Sequence, residues 1–251
     1  MDALFSNLPL LSLCLGIGLL AGIVKGMVGF AMPMILVSGL GSIIAPELAL
    51  AGLILPTLVT NGMQAFGRGT RGIWTAIKRF RLFMIVGLVC ILAASQLVAI
   101  LPVEVMFAVI GGPIVLFSLM QLAGWQPEVK QSPGLDVLVG IGAGTIGGMS
   151  GVWGPMVVAY LTALKTEKSE QIRVQGVIYG LGAVALTLAH IGSGILNAQT
   201  VWFSALMIIP GVIGMWIGGR LHNRIDQKAF RKATLFVLLV AGLNLLRRAF
   251  M

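Results

Sequence analysis

The sequence predicts an all-α polytopic membrane protein built as two inverted repeats, each a broken, re-entrant-like helical hairpin followed by three transmembrane helices. Three observations carry this expectation. Hydrophobic residues make up 58% of the 251 residues and charged residues only 10%, with a mean hydropathy of +1.01, whereas soluble domains carry about 25% charge. A glycine–proline motif occurs twice, at matching places in the two halves. Lys and Arg are distributed so that only one threading satisfies the preference of basic loops for the cytoplasm.

The motif reads Gly-Met-x-Gly-x-x-x-Pro-Met, at Gly26–Met34 and again 122 residues later at Gly148–Met156. A Gly-Ile-Gly precedes each copy, at Gly16–Gly18 and Gly140–Gly142. Gly weakens a helix by about 1 kcal/mol and Pro by about 3. Inside a bilayer a broken backbone is tolerated only where protein or a cavity surrounds it. Paired interruptions of this kind point to a transporter binding site near the midplane.

In chain order, the first repeat (1–123) opens with the broken hairpin 8–44, followed by helices over 47–66, 82–101 and 103–122. A polar stretch, 124–134, is expected as a cytoplasmic linker. The second repeat (135–251) opens with the broken hairpin 135–164, followed by helices over 172–196, 200–219 and 233–250. Met1–Leu13 contains Asp2 and no basic residue, so no cleaved signal peptide is expected there. Cys14 and Cys90 lie in apolar runs without metal or redox spacing and read as small buried hydrophobes.

The return of each hairpin follows from charge. If 135–164 crossed once, the flanking basic residues would divide eight to eight between the two sides. If it enters and returns, 14 lie on one side (Arg68, Arg71, Lys78, Arg79, Arg81, Lys130, Lys165, Lys168, Arg173, Arg220, Arg224, Lys228, Arg231 and Lys232) and only Arg247 and Arg248 on the other. The second arrangement obeys the positive-inside rule. It places both termini outside and, because each repeat then has an odd number of crossings, inverts one repeat relative to the other. The net charge of +9 accordingly reads as loop asymmetry and not as a nucleic-acid surface. Trp74, Trp125 and Trp202 read as interfacial belt residues.

Lys25 is the one cation inside an apolar segment away from these loops. It reads either as a residue snorkelling from a shallow tip or as an anion-binding cation at the break. Beside it, amides freed at Gly26, Gly29, Gly148 and Gly151 would face negative charge. No Asp or Glu falls in the middle of a predicted crossing, which favours an anionic substrate over a cation carrier. Asn61, Gln64, Ser150, Arg173 and Gln175 are the polar candidates for the substrate's oxygens, and Phe30 and Trp153 for the cavity wall. Helix glue is the competing role for the polar residues, core packing for the aromatics, and cytoplasmic anchoring for Arg173. If protons are coupled, the candidate carriers are the substrate itself, Lys25 and His190, the last of which reads first as a packed or interfacial histidine. Phosphate-loop glycines, metal clusters and nucleophile–base pairs do not occur in the sequence, so neither an enzyme nor a cofactor is expected.

At its motifs the chain resembles the TauE/SafE sulfite exporter family. The first copy, Ala21-Gly22-Ile23-Val24-Lys25-Gly26-Met27-Val28-Gly29-Phe30, matches that family's Ala-Gly-x-x-(Arg/Lys)-Gly-x-x-Gly-Phe pattern. The second, Gly147-Gly148-Met149-Ser150-Gly151-Val152-Trp153-Gly154-Pro155, is similar to its Gly-Gly-x-x-Gly-x-x-Gly-Pro. Arg173 stands where the family carries an Arg after the second hairpin. The chain departs from the pattern after Gly29-Phe30, with Ala31-Met32 where a third small residue is frequent. The resemblance implies a secondary transporter in the cytoplasmic (inner) membrane that exports sulfite or a small organosulfonate, with protons as a candidate coupling ion and a homodimer as a candidate assembly. Alternating access at a midplane site is the leading mechanism. A passive anion channel using the same positive site is the alternative, and a membrane-embedded sensor or assembly partner a third.

Overall fold

A computed structural model of the chain describes residues 6–66, 73–125, 128–166, 168–221 and 226–251. Among these residues the structure is helical, without a strand. The helices are α1 (Leu8–Val28), α2 (Met32–Gly41), α3 (Pro46–Phe66), α4 (Ile73–Arg79), α5 (Arg81–Ser95), α6 (Val103–Leu122), α7 (Pro133–Ser150), α8 (Gly154–Ala163), α9 (Lys168–Gly192), α10 (Thr200–Leu221) and α11 (Gln227–Phe250).

Both motifs break their helices, and the chain reverses at each break. Gly29 ends α1 at φ +80° and Gly151 ends α7 at φ +72°, a left-handed geometry that glycine adopts without a Cβ penalty. Pro33 and Pro155 then stand in the first turns of α2 and α8, where a missing N–H costs nothing. The legs lie antiparallel: a Cβ on Gly39 would meet Ile17, and one on Gly142 would meet Met156. In the second hairpin the Val129 N–H donates to the Ala163 carbonyl at 2.9 Å, so its two ends lie side by side.

Among the described residues, six helical stretches are long and apolar enough to cross a membrane: Leu8–Met27, Pro46–Phe66, Arg81–Val98, Val103–Leu122, Val174–Gly192 and Thr200–Leu221. Five coincide with crossings expected from the sequence. The first is the long leg of a hairpin. The expected helix 82–101 tightens after Ser95 into a 3₁₀ turn, Gln96–Ile100. The segment expected at 172–196 begins earlier, at Lys168, and turns at Gly194, where φ is +79°. Trp74, Trp125 and Trp202 are all exposed.

Each hairpin's long leg packs on a crossing helix of the other half. The most extensive contacts are α1 against α10 and, in the matching arrangement, α7 against α5; α6 packs on α11 and α3 on both α9 and α10. A shared spacing of four explains the first two. Gly18, Gly22 and Gly26 line one face of α1, and Gly140, Gly144 and Gly148 the same face of α7. A Cβ on Gly26 would stand 2.2 Å from the Met215 carbonyl oxygen, and one on Gly148 2.6 Å from that of Ile91. Small residues let helix backbones approach where lipid supplies no hydrophobic drive.

Side-chain links sort the helix ends into two faces. On one, Arg79 pairs with Glu170 at 2.7 Å and donates to Gln131 at 3.3 Å, while Tyr160 donates to the buried Asp136 carboxylate. On the other, Gln96 donates to the Ala189 carbonyl at 3.2 Å, Asn244 to the Ser42 hydroxyl at 3.3 Å, and Arg248 to the Gly41 carbonyl.

Candidate functional site

The two breaks meet. Lys25, Phe30, Ala31, Pro33 and Met34 of the first hairpin line a small cavity of about 20 Å³ together with Val152, Trp153 and Gly154 of the second, closed by Asn61 of α3 and Tyr179 of α9.

Among the described residues that line it, Lys25 is the cation. It sits one turn before the end of α1, only 2% exposed, and its Nζ donates to Asn61 Oδ1. Asn61 is fixed in turn, because its Nδ2 donates to the Tyr179 carbonyl at 3.2 Å. The Tyr179 hydroxyl donates to the Gly154 carbonyl at 3.3 Å, closing a chain of contacts from α1 through α3 and α9 to the start of α8. Among the described residues the ion pairs are Arg79–Glu170 and Lys165–Glu128, so a neutral amide and not a carboxylate stands beside Lys25. A buried charge is costly unless paired, and an anion in the cavity would pair it.

Helix ends add to this field. The first amides of α2 and α8 follow the two breaks, and neither helix has a side-chain cap, its N-cap being Ala31 or Trp153. Uncapped helix N-termini present N–H donors and a partial positive charge. Ala31 holds φ +74°, strained for a residue with a Cβ, at the turn that aims α2 into the cavity.

Of the residues expected from sequence, Lys25, Phe30, Asn61 and Trp153 come together at this cavity. Gln64 lies one turn beyond Asn61; its Nε2 is 3.8 Å from where a Gly29 Cβ would be, and neither amide atom has a hydrogen-bond partner. The glycines act otherwise than expected. The Gly29 and Gly151 amides donate to the Lys25 and Gly147 carbonyls at 2.7 and 2.8 Å, because the breaks are helix C-caps. Gly26 and Gly148 are contact points for α10 and α5. The amides left for a ligand are those that follow the breaks. The Ser150 hydroxyl donates to the Ile146 carbonyl at 2.6 Å and accepts from the Val152 N–H at 3.1 Å, shaping its own turn. Gln175 is buried on α9, one turn before Tyr179. The Arg173 side chain lies outside the described residues.

Sequence reasoning missed Ala31, Pro33, Met34, Val152, Gly154 and the cavity-lining position of Tyr179. Five of them belong to the motifs themselves, so residues flanking a predicted break were the available signal. Tyr179 had one too, sharing a helical face with Gln175.

A family model described as Sulfite exporter TauE/SafE matches residues 14–245, nearly the whole chain. No curated protein and no solved structure matches.

Proposed function

The chain belongs to the sulfite exporter TauE/SafE family, and from that premise we propose that it exports sulfite or a small organosulfonate across the cytoplasmic membrane by alternating access. Membership makes it a membrane transporter of sulfite or related anions. The observation that carries the finer reading is Lys25, a buried cation held by a neutral amide where the two breaks converge. Its charge, the uncapped starts of α2 and α8 and the Gln64 amide supply donors for an anion's oxygens, with Arg173 as a further candidate.

The exchanged packing, α1 on α10 and α7 on α5, supports an inverted relation between the halves, 1–123 and 135–251 about the linker 124–134. Rocking one half against the other would expose the shared cavity to each side alternately. The face carrying Arg79, Gln131 and Glu170 is then cytoplasmic, and both termini lie outside.

The test is flux of labelled sulfite and of a small alkylsulfonate in proteoliposomes, with and without substrate on the far side. A carrier shows acceleration by trans substrate. Flux without acceleration supports the channel instead, and absence of flux for both anions removes the substrate assignment.

A further inference from the structure

His190 has no part in the cavity, yet its burial is complete. It stands two residues before the end of α9, its ring 0% exposed. Nδ1 is 3.2 Å from the Ser193 hydroxyl, and Nε2 is buried without a hydrogen-bond partner. That ring faces the backbone of Gly148, near the end of α7. Ser193 is half-buried and Gly192 and Gly194 beside it are exposed, so one hydroxyl separates the imidazole from the surface.

We propose that His190 is the proton-binding residue of the transport cycle, coupled to the anion site through the break between α7 and α8, so that a proton and the anion move together. The proposal rests on the transporter reading above. Its physical basis is the polarity of the break. The last carbonyls of α7 have no intrahelical partner and carry the negative end of the helix; the first amides of α8 carry the positive end. Neutral imidazole has one N–H, which Ser193 can engage. The imidazolium has two, and the second points toward the Gly148 end of α7. Protonation therefore ties α9 to α7 at the C-terminal side of a break whose next residues, Val152, Trp153 and Gly154, line the anion cavity. A cation on one side of the break and an anion on the other stabilise each other, while loss of either weakens the hold on its partner.

Among the described residues the ring has no ion-pair partner. On the 3₁₀ turn Gln96 donates to the Ala189 carbonyl next to it. Of the elements packed against α9, α4 and α7 carry Arg79 and Asp136 at the opposite face, α5 carries Arg81 there and Cys90 at its middle, and α8 carries Tyr160 with Asp136. Glu47 begins α3 and is not hydrogen-bonded or ion-paired to His190 among the described residues. Tyr179 lies three turns earlier on α9, and Lys25 belongs to the other hairpin. Histidines in this setting serve as proton relays in membrane carriers.

The test uses methanesulfonate, a strong acid whose ionisation is constant, so that any proton moved must ride on the protein. In proteoliposomes with the bath one pH unit more acid than the lumen, the wild type is expected to accumulate methanesulfonate in the lumen, up to about tenfold for one proton per anion. H190Q is expected to keep exchange between labelled and unlabelled methanesulfonate while losing accumulation. Exchange without accumulation in the wild type, or accumulation retained by H190Q, overturns the proposal and leaves the transporter reading standing. Exchange absent from the wild type removes methanesulfonate as a substrate, and the proton site is then judged separately. For that, protein labelled with ¹⁵N-histidine in nanodiscs, on an H222Q background, is titrated between pH 5 and 8. An imidazole signal that titrates, and shifts when sulfite is added, supports the proposal; a signal constant across the range overturns it, also if H190Q fails to fold.

Discussion

Arg248 donates to the backbone carbonyl of Gly41, the last residue of α2, from a position 207 residues further along the chain. Its guanidinium also stacks over the Phe107 ring, 4.2 Å from the centroid. Arg247 and Arg248 were the two basic residues that the charge count placed on the wrong side. The contact supplies a local reason for one of them: a cation at the negative end of a helix is stabilised there. Arg247, exposed, donates to Asn244 at 3.2 Å within its own helix.

Arg248→Gln is therefore expected to lower thermal stability in detergent by about 1 kcal/mol, the scale of a charge–helix contact with partial exposure. Arg247→Gln should leave the melting temperature unchanged within error. Equal shifts for the two would mean that the Gly41 contact stabilises nothing.

Lys25→Ala is expected to weaken sulfite binding roughly ten- to hundredfold, the range for losing a hydrogen bond to a charged group. Lys78→Ala is the control, because Lys78 is exposed beside Trp74 on α4. Binding of labelled sulfite to the purified protein measures both, and matching losses would move the anion site away from the cavity.

Glycine contacts between α1 and α10 make a separate prediction. A Cβ on Gly218 would lie 2.0 Å from the Ile23 carbonyl oxygen, while one on Gly219 would meet nothing within 4 Å. Gly218→Ala should cost about 1–3 kcal/mol, as overpacking does, and Gly219→Ala close to nothing. Melting curves of the two variants decide whether this interface is as tight as the structure has it.

Threading is tested by labelling. With Cys14 and Cys90 replaced, a thiol introduced at Ala198 should react with a membrane-impermeant reagent from outside, and one at Asp226 should not. The reverse pattern would invert the topology.

Much of this arrangement was readable in the chain. Glycine in front of proline located both breaks to within a few residues, since no other pair ends a helix and restarts one so cheaply. The charge count indicated that each hairpin returns. The partners stayed hidden. A glycine every fourth residue tells that one face of α1 admits a close neighbour, but nothing local distinguishes α10 from any other apolar helix. The same holds for Lys25, whose dependence on Asn61 and, behind it, the Tyr179 carbonyl is fixed by how α3 and α9 cross. The glycine amides were misread for a different reason: a glycine that ends a helix uses its N–H to close the cap, which leaves the donors to the residues that follow.

The two hairpins differ in when they can be finished. The second is closed by its own backbone, Val129 to Ala163, and its partner α5 has already been made when it emerges. The first waits. Its long leg needs α10 and its short leg is held by Arg248 of α11, so close to 200 further residues must be synthesised first. At about 5–20 residues per second that is a delay of roughly 10–40 s, during which Lys25 enters the membrane before the Tyr179 carbonyl that orients Asn61 exists. Biogenesis must shelter that cation until the C-terminal half arrives, and the chain is completed from its far end.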